Sequence, residues 1–430
     1  MRLVEGYEAA RAALARTRAS GETAEREWTV REVIDKVRAG GDRALLDYTE
    51  RFDGVKLDSL EVGRELIDRA LDGTDPALRS ALELAERRVA AFHQQQMEAL
   101  GVDSASKKLG WVMRPLGSVG VYAPGFQAPL PSSVLMTAVP ARVAGVKEIV
   151  LVTPPGRNGS PSPLTLAAAK LAGVSRVFSL GGAQAIAALA YGTETVPRVD
   201  KVCGPGNVYV TLAKQLVFGD VGIDGLYGPS EVVIIADDTA RPDYVAADLL
   251  GQAEHGSGAT AILITTSKQL AEAVNGEIEQ QVTALDRSEV ARESLAGQGL
   301  VAVVGTLGEA LDLANGYAPE HLCLVVKDAA QYIDKVENTG CLFVGESSLE
   351  VLVDYVAGPS HVLPTGGTAR FGAALNVTDF LRIMTVAATD AADLRELGGA
   401  AATIARAEGL DAHARAVERR LDDLEKGDGR

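Results

Sequence analysis

The sequence predicts an α/β protein made of two Rossmann-like parallel-sheet lobes with small helical segments at its amino and carboxyl ends. Three observations carry this reading. Short, continuously apolar runs alternate with helix-patterned stretches, as expected for parallel strands covered on both faces. The alternation occurs twice, over 116–229 and again over 230–375. A chain of 430 residues also exceeds one ordinary core, at roughly 150 residues per domain.

The elements follow in order. Residues 1–22 read as an amino-terminal helical segment and 23–115 as a helical part packing with the second lobe. Thr29 and Glu32 make a T-x-x-E capping signature ahead of Val30, Val33, Ile34 and Val37. Asp75-Pro76 opens a longer helix with Leu78, Leu82, Ala85, Val89 and Phe92 on one stripe, beside which His93 reads as structural. Strands at 119–123, 148–153, 176–180 and 200–203, with helices between them, build the first lobe (116–229). Strands at 231–236, 261–265, 300–304, 322–326 and 342–344 build the second (230–375). The tail, 376–430, reads as helical and Ala-rich, with a charged end from Glu418. It is too short for a core of its own and must pack on something else.

Composition removes several function classes. Hydrophobic residues at 47% and charged residues at 23% exclude wholesale disorder. Lys plus Arg number 42 against 58 Asp plus Glu, and a net charge of -16 repels a phosphate backbone, so no nucleic-acid partner is expected. Cys203, Cys323 and Cys341 form no CxxC pair and read as reduced core thiols of a cytoplasmic protein. No signal-peptide core and no run of about 18 apolar residues occurs, so neither secretion nor a membrane partner is expected.

Candidate chemistry lies at the turns. The string Gly256-Ser257-Gly258-Ala259-Thr260-Ala261 precedes a strand, whereas a dinucleotide fingerprint follows one, so it is rejected. Gly204-Pro205-Gly206-Asn207 follows a strand and opens a helix, as an anion cradle or a plain tight turn would. Tyr122-Ala123-Pro124-Gly125 and Gly181-Gly182-Ala183-Gln184 also follow strands of the same lobe, and the three turns together point to one crevice at the strand carboxyl ends. In the second lobe, Gln252 and His255 are three apart on one helical face. Glu320-His321 leads into a strand, and Asp354 and His361 flank a Gly/Pro-rich loop. Imidazole and carboxylate groups suit a divalent cation such as zinc, and an adjacent Glu-His pair suits acid-base work; turn capping and core hydrogen bonding are the bland alternatives.

The strings VGVYAPG, VLMTAVPA, GGAQAIAALAYGTETV, DKVCGPGNVYV, GPSEVVIIAD, QAEHG, YAPEHL, DYVAGPSHVLPTGG and AEGLDAHARAV, in this order and spacing, resemble the histidinol dehydrogenase family over nearly the whole chain. The resemblance implies an NAD-dependent, zinc-requiring oxidation of L-histidinol to L-histidine by an intertwined homodimer whose active sites are shared. It implies Gln252, His255, Asp354 and the partner's His413 as ligands of one Zn2+ per site, with Glu320 and His321 as the catalytic pair. Tyr122, Gln184 and Asn207 would contact NAD+. Ser230 and Glu408, with His321 and the metal ligands, would contact substrate. Phe126 and Val353 stand where the family usually has glycine. A related zinc- and NAD-dependent dehydrogenase acting on another small polar alcohol is the nearest competing reading, and a non-catalytic two-lobed binder the more distant one.

Overall fold

The computed structural model describes residues 1–16, 23–101, 108–125 and 129–427. Phe126 lies outside them. Strand β1 (Arg2–Glu5) opens the chain, and β2 (Leu109–Pro115) follows the first long helices. The next five strands are β3 (Ser118–Tyr122), β4 (Glu148–Thr153), β5 (Arg176–Ser179), β6 (Lys201–Cys203) and β7 (Gly222–Ile223). They form one sheet in the order β5-β4-β3-β6-β7, parallel throughout. Then come β8 (Glu231–Ala236), β9 (Thr260–Thr265), β10 (Leu300–Val303), β11 (His321–Val325) and β12 (Cys341–Val344). With β1 they form a second parallel sheet, β1-β10-β9-β8-β11-β12. The chain turns back on itself once in each sheet, between β3 and β6 and between β8 and β11. At such a switch point a crevice opens outside the carboxyl ends of the strands, and in the first sheet this is where ligand-facing turns gather.

Burial explains the strand composition. Every residue of β8 is buried, and β4 exposes only part of Glu148, so both faces must be apolar. The helix Gly182–Tyr191 is buried almost all round, because it lies between the first sheet and the long amino-terminal helix Thr23–Asp53. Val30, Val33, Ile34, Val37 and Leu45 of that long helix join the core of the first sheet.

Four local features differ from the sequence reading. Residues 2–5 form a strand, since Leu3 and Val4 extend the second sheet beside Val301 and Ala302. The stretch 23–53 joins the core of the first sheet. Thr29 is no cap: the helix already runs from Thr23, and the Thr29 hydroxyl donates to the carbonyl of Glu25 (3.1 Å). The tail is only partly helical, because β13 (Leu381–Ala387) pairs with β2 before the helices Ala391–Ala407 and Asp411–Gly427.

By compactness the chain divides into one unit of residues 1–99 and 115–380, holding both parallel sheets, and a second of residues 100–114 and 381–430. In the second unit the two helices form a hairpin in which Gly398 lets Val417 and Leu421 approach closely. Ile383, Met384, Leu397 and Ile404 of this unit stay exposed.

Candidate active site

At the switch point of the first sheet three turns converge. Tyr122 ends β3. Gln184 lies in the first turn of the helix Gly182–Tyr191, and its side chain is buried. Asn207 caps the helix Val208–Val217, its Oδ1 accepting from the amides of Tyr209 (3.0 Å) and Val210 (3.1 Å). The Tyr122 hydroxyl accepts from the Gly182 amide (3.2 Å), and burial pushes its pKa up to about 12, so it stays protonated. The turn before Asn207 needs glycine. Gly204 has φ +111°, and a β-carbon there would sit 2.2 Å from the Tyr122 carbonyl oxygen. A buried ion pair locks this turn: Lys214 contacts Asp224 and donates to the Gly204 carbonyl (3.0 Å), while Asp224 accepts from the Gly204 amide (2.7 Å). Tyr122, Gln184 and Asn207 all line one cavity of about 670 Å³, with Asp53, Phe52 and His255 among the other walls.

His255 links this cavity to a second cluster. It follows the helix Pro242–Ala253, on which Gln252 is almost fully buried with neither amide atom hydrogen-bonded. One His255 nitrogen, a Glu350 oxygen and an Asp354 oxygen lie within 4.8 Å of one another. His255 is open to the cavity on one side, and the protein packed around the rest of the ring lowers its pKa. An unpaired buried amide costs stability, and so do buried carboxylates crowded together. A cation held by His255, Glu350 and Asp354 would ease the carboxylate crowding, and the orphaned Gln252 amide, on the helix that leads to His255, is a further oxygen donor, so the residues fit a divalent ion taking mixed nitrogen and oxygen ligands.

The Glu320–His321 pair lies at the opening of β11, both side chains buried. His321 Nδ1 donates to the Glu231 carbonyl (3.1 Å), which leaves Nε2 with its lone pair, buried and without a partner. Glu320 accepts from the Glu231 amide (2.8 Å). Glu231 in turn is held by a two-pronged contact with Arg16 and by the Gly366 amide (3.2 Å). Burial, then the nearby carboxylates, push Glu320 well above the usual carboxylate range, whereas burial alone takes Asp354 up to about 7. Burial lowers His321 to about 3 and His361 to about 4, so both rings are neutral. Asp354 Oδ1 lies 3.9 Å from His321 Nε2, and His361 Nδ1 donates to the Asp354 carbonyl (2.9 Å).

The structure therefore gathers His255, Glu320, His321 and Asp354 at one place and Tyr122, Gln184 and Asn207 at the cavity beside it. Ser230 immediately precedes Glu231, and its carbonyl accepts from the Thr260 amide (2.9 Å). Glu408 and His413 are exposed and belong to the second unit. Val353 takes ordinary helical angles (φ −72°, ψ −40°) and packs against the second core, so valine is accommodated there. The general rule that open α/β sheets bind ligands at their strand carboxyl ends holds for the first sheet only; the second offers its strand amino ends, since Glu231 opens β8 and His321 opens β11. The helix after β8 carries the chain back to that edge, and Gln252 and His255 stand where it finishes. Glu350, Glu231 and Arg16 escaped the sequence reading. Glu350 could have been found, since it precedes Asp354 by four residues, one helical turn.

A family model described as histidinol dehydrogenase matches residues 16–421. Histidinol dehydrogenase of Dehalococcoides mccartyi strain CBDB1 is 52% identical over 396 residues, covering 92% of this chain and 91% of that protein. That of Deinococcus radiodurans is 50% identical over 442 residues, covering 98% and 100%. The crystal structure of histidinol dehydrogenase from Elizabethkingia anophelis superposes with a TM-score of 0.93 at 35% identity, over 99% of each chain.

Proposed function

The chain belongs to the histidinol dehydrogenase family of oxidoreductases, and from that premise we propose that it carries out the four-electron oxidation of L-histidinol to L-histidine through L-histidinal, with NAD+ as acceptor and one Zn2+ per site. The observation that carries this reading is the position of His255, which faces both the dinucleotide-sized cavity and the Glu350–Asp354 carboxylates. The lobe of residues 116–229 is the NAD+ side, with Tyr122, Gln184 and Asn207 as its contacts. The lobe of residues 230–375 holds metal and catalytic residues. Gln252, His255 and Asp354, with His413 of the partner subunit, would hold the zinc ion. When bound, the ion would fix the substrate's nitrogen atoms, and two NAD+ in succession would each accept one hydride from the same carbon.

The protein's own groups handle protons and water. His321, with Nδ1–H committed to the Glu231 carbonyl, presents Nε2 to accept the substrate's hydroxyl proton. Burial favours the protonated Glu320 carboxyl and the Glu231 amide opposes it by favouring the ionised form; once ionised, this raised-pKa carboxylate is the stronger base and takes a proton from the water that adds to the aldehyde. Ser230 and the partner's Glu408 hold the substrate's polar ends. A tail that completes the neighbouring site keeps the reactive aldehyde from leaving. The exposed Ile383, Met384, Leu397 and Ile404 of the second unit are apolar surface that the homodimer would cover. No described helix is long and apolar enough to cross a membrane, which is consistent with the cytoplasmic location we propose.

The test is NADH formation from L-histidinol and NAD+, with the product identified. Two NADH per L-histidine, abolished by chelation and restored by Zn2+, are expected. One NADH per turnover with the aldehyde released, or no NADH at all, would refute the reading.

A further inference from the structure

We propose that Asp53 is the residue that selects NAD+ over NADP+, its carboxylate accepting the hydroxyl hydrogens of the adenosine ribose. This rests on the cavity being the dinucleotide site. Asp53 ends the helix Thr23–Asp53, which also gives the cavity Thr29, Val30, Val33 and Phe52. Asp53 Oδ2 is shielded from solvent and has no hydrogen-bond partner. Burial pushes the carboxyl up to about 6. A shielded acceptor without a donor is costly in the free protein, and a ligand that brings hydroxyl donors removes the cost.

The direction of the dinucleotide follows from the reaction. The hydride acceptor must meet the substrate carbon on the His255 side. The adenosine half then extends along the first sheet towards the helical wall. There Phe52, 46% exposed and stacked on Tyr48, forms part of the wall, with Asp53 next to it. A vicinal diol presents two O–H donors to one carboxylate, the contact by which acidic residues read the ribose in dinucleotide folds. A 2′-phosphate at the same place would set a dianion against that carboxylate. Among the described residues lining the cavity Asp53 is the only acid, and the one cation is Arg287, which the second lobe supplies beside His255. Arg51 lies over the Phe52 ring, outside the lining.

Calorimetric titration of the zinc-loaded protein with NAD+ and with NADP+ tests the proposal on wild type, Asp53→Asn, Asp53→Ala and Gln184→Ala. The melting temperature of each variant is recorded without cofactor. Asp53→Asn should weaken NAD+ binding about tenfold, as expected for a lost charge-assisted hydrogen bond. It should also shrink the preference for NAD+ over NADP+, leave the melting temperature unchanged or raise it, and be matched by Asp53→Ala. An unchanged preference in both Asp53 variants, with NAD+ binding weakened only by Gln184→Ala, overturns the role of Asp53 and leaves the cavity as the dinucleotide site. NAD+ binding unchanged in all three variants overturns the cavity reading and the role of Asp53 together. A lowered melting temperature with unchanged NAD+ affinity marks Asp53 as structural and also overturns the proposal.

Discussion

Glu231 is the residue from which the catalytic pair is hung. Its main-chain carbonyl sets the His321 tautomer, its amide anchors Glu320, and its own carboxylate is gripped by Arg16. The two jobs are separable, because a main-chain contact survives side-chain substitution only if the main chain stays put. Arg16→Ala leaves the Glu231 carboxylate buried with only the Gly366 amide as a donor. We expect a loss of about 3 kcal/mol, at the low end for a broken buried pair because Arg16 keeps some solvent contact. Urea denaturation measures it, and kcat should fall while KM for histidinol changes little. Glu320→Gln keeps the shape and removes the water-activating carboxylate. Oxidation of supplied L-histidinal should slow about a hundredfold or more, and the first oxidation much less. Equal rates on the aldehyde for mutant and parent would remove Glu320 from that role.

At the scale of elements, the turn between β6 and the helix Val208–Val217 shows what the chain spells out and what it hides. Gly204-Pro205-Gly206-Asn207 was legible as a strand-to-helix turn, because glycine and an Asn cap announce it locally. The clamp beneath it was not: Lys214 and Asp224 lie ten residues apart on different elements, and only the fold buries them together. The same limit governs the second sheet. Apolar runs and the Glu320-His321 string were readable, but which edge of the sheet they face depends on the return path of the helix Pro242–Ala253. The Thr29 signature failed for a related reason, since good helix formers before it carried the helix through. Lys214→Met tests the clamp. Asp224 would be left buried without its cation, costing about 3–5 kcal/mol. The Gly204–Asn207 turn would loosen, so KM for NAD+ should rise several-fold while KM for histidinol holds. Unchanged KM for NAD+ in a destabilised variant would show that the pair serves stability alone.

On the scale of the whole molecule, the metal and the folding energy are separate. Each sheet has its own large apolar core, whereas the proposed ligands come from the helix Pro242–Ala253, the segment around Asp354 and the tail. Chelation should therefore abolish NADH formation while the far-ultraviolet circular dichroism persists, in contrast to small domains that unfold without their ion. A cooperative loss of helix signal on chelation would contradict this. The tail carries the stronger test. His413 is exposed on the helix Asp411–Gly427, and among the described residues the His, Cys, Asp and Glu side chains close enough to hold a cation within one chain are His255, Glu350 and Asp354. If the partner's His413 completes each site, two dead variants can rescue each other. A protomer with His413→Ala and one with His321→Ala form mixed dimers holding one site with both defects and one with neither. Random pairing at equal amounts makes about half the dimers mixed, so co-refolding should recover roughly a quarter of wild-type activity. Each variant alone stays inactive at every concentration. A mixture that remains inactive, although mixed dimers are detected by mass, would show that His413 acts within its own chain.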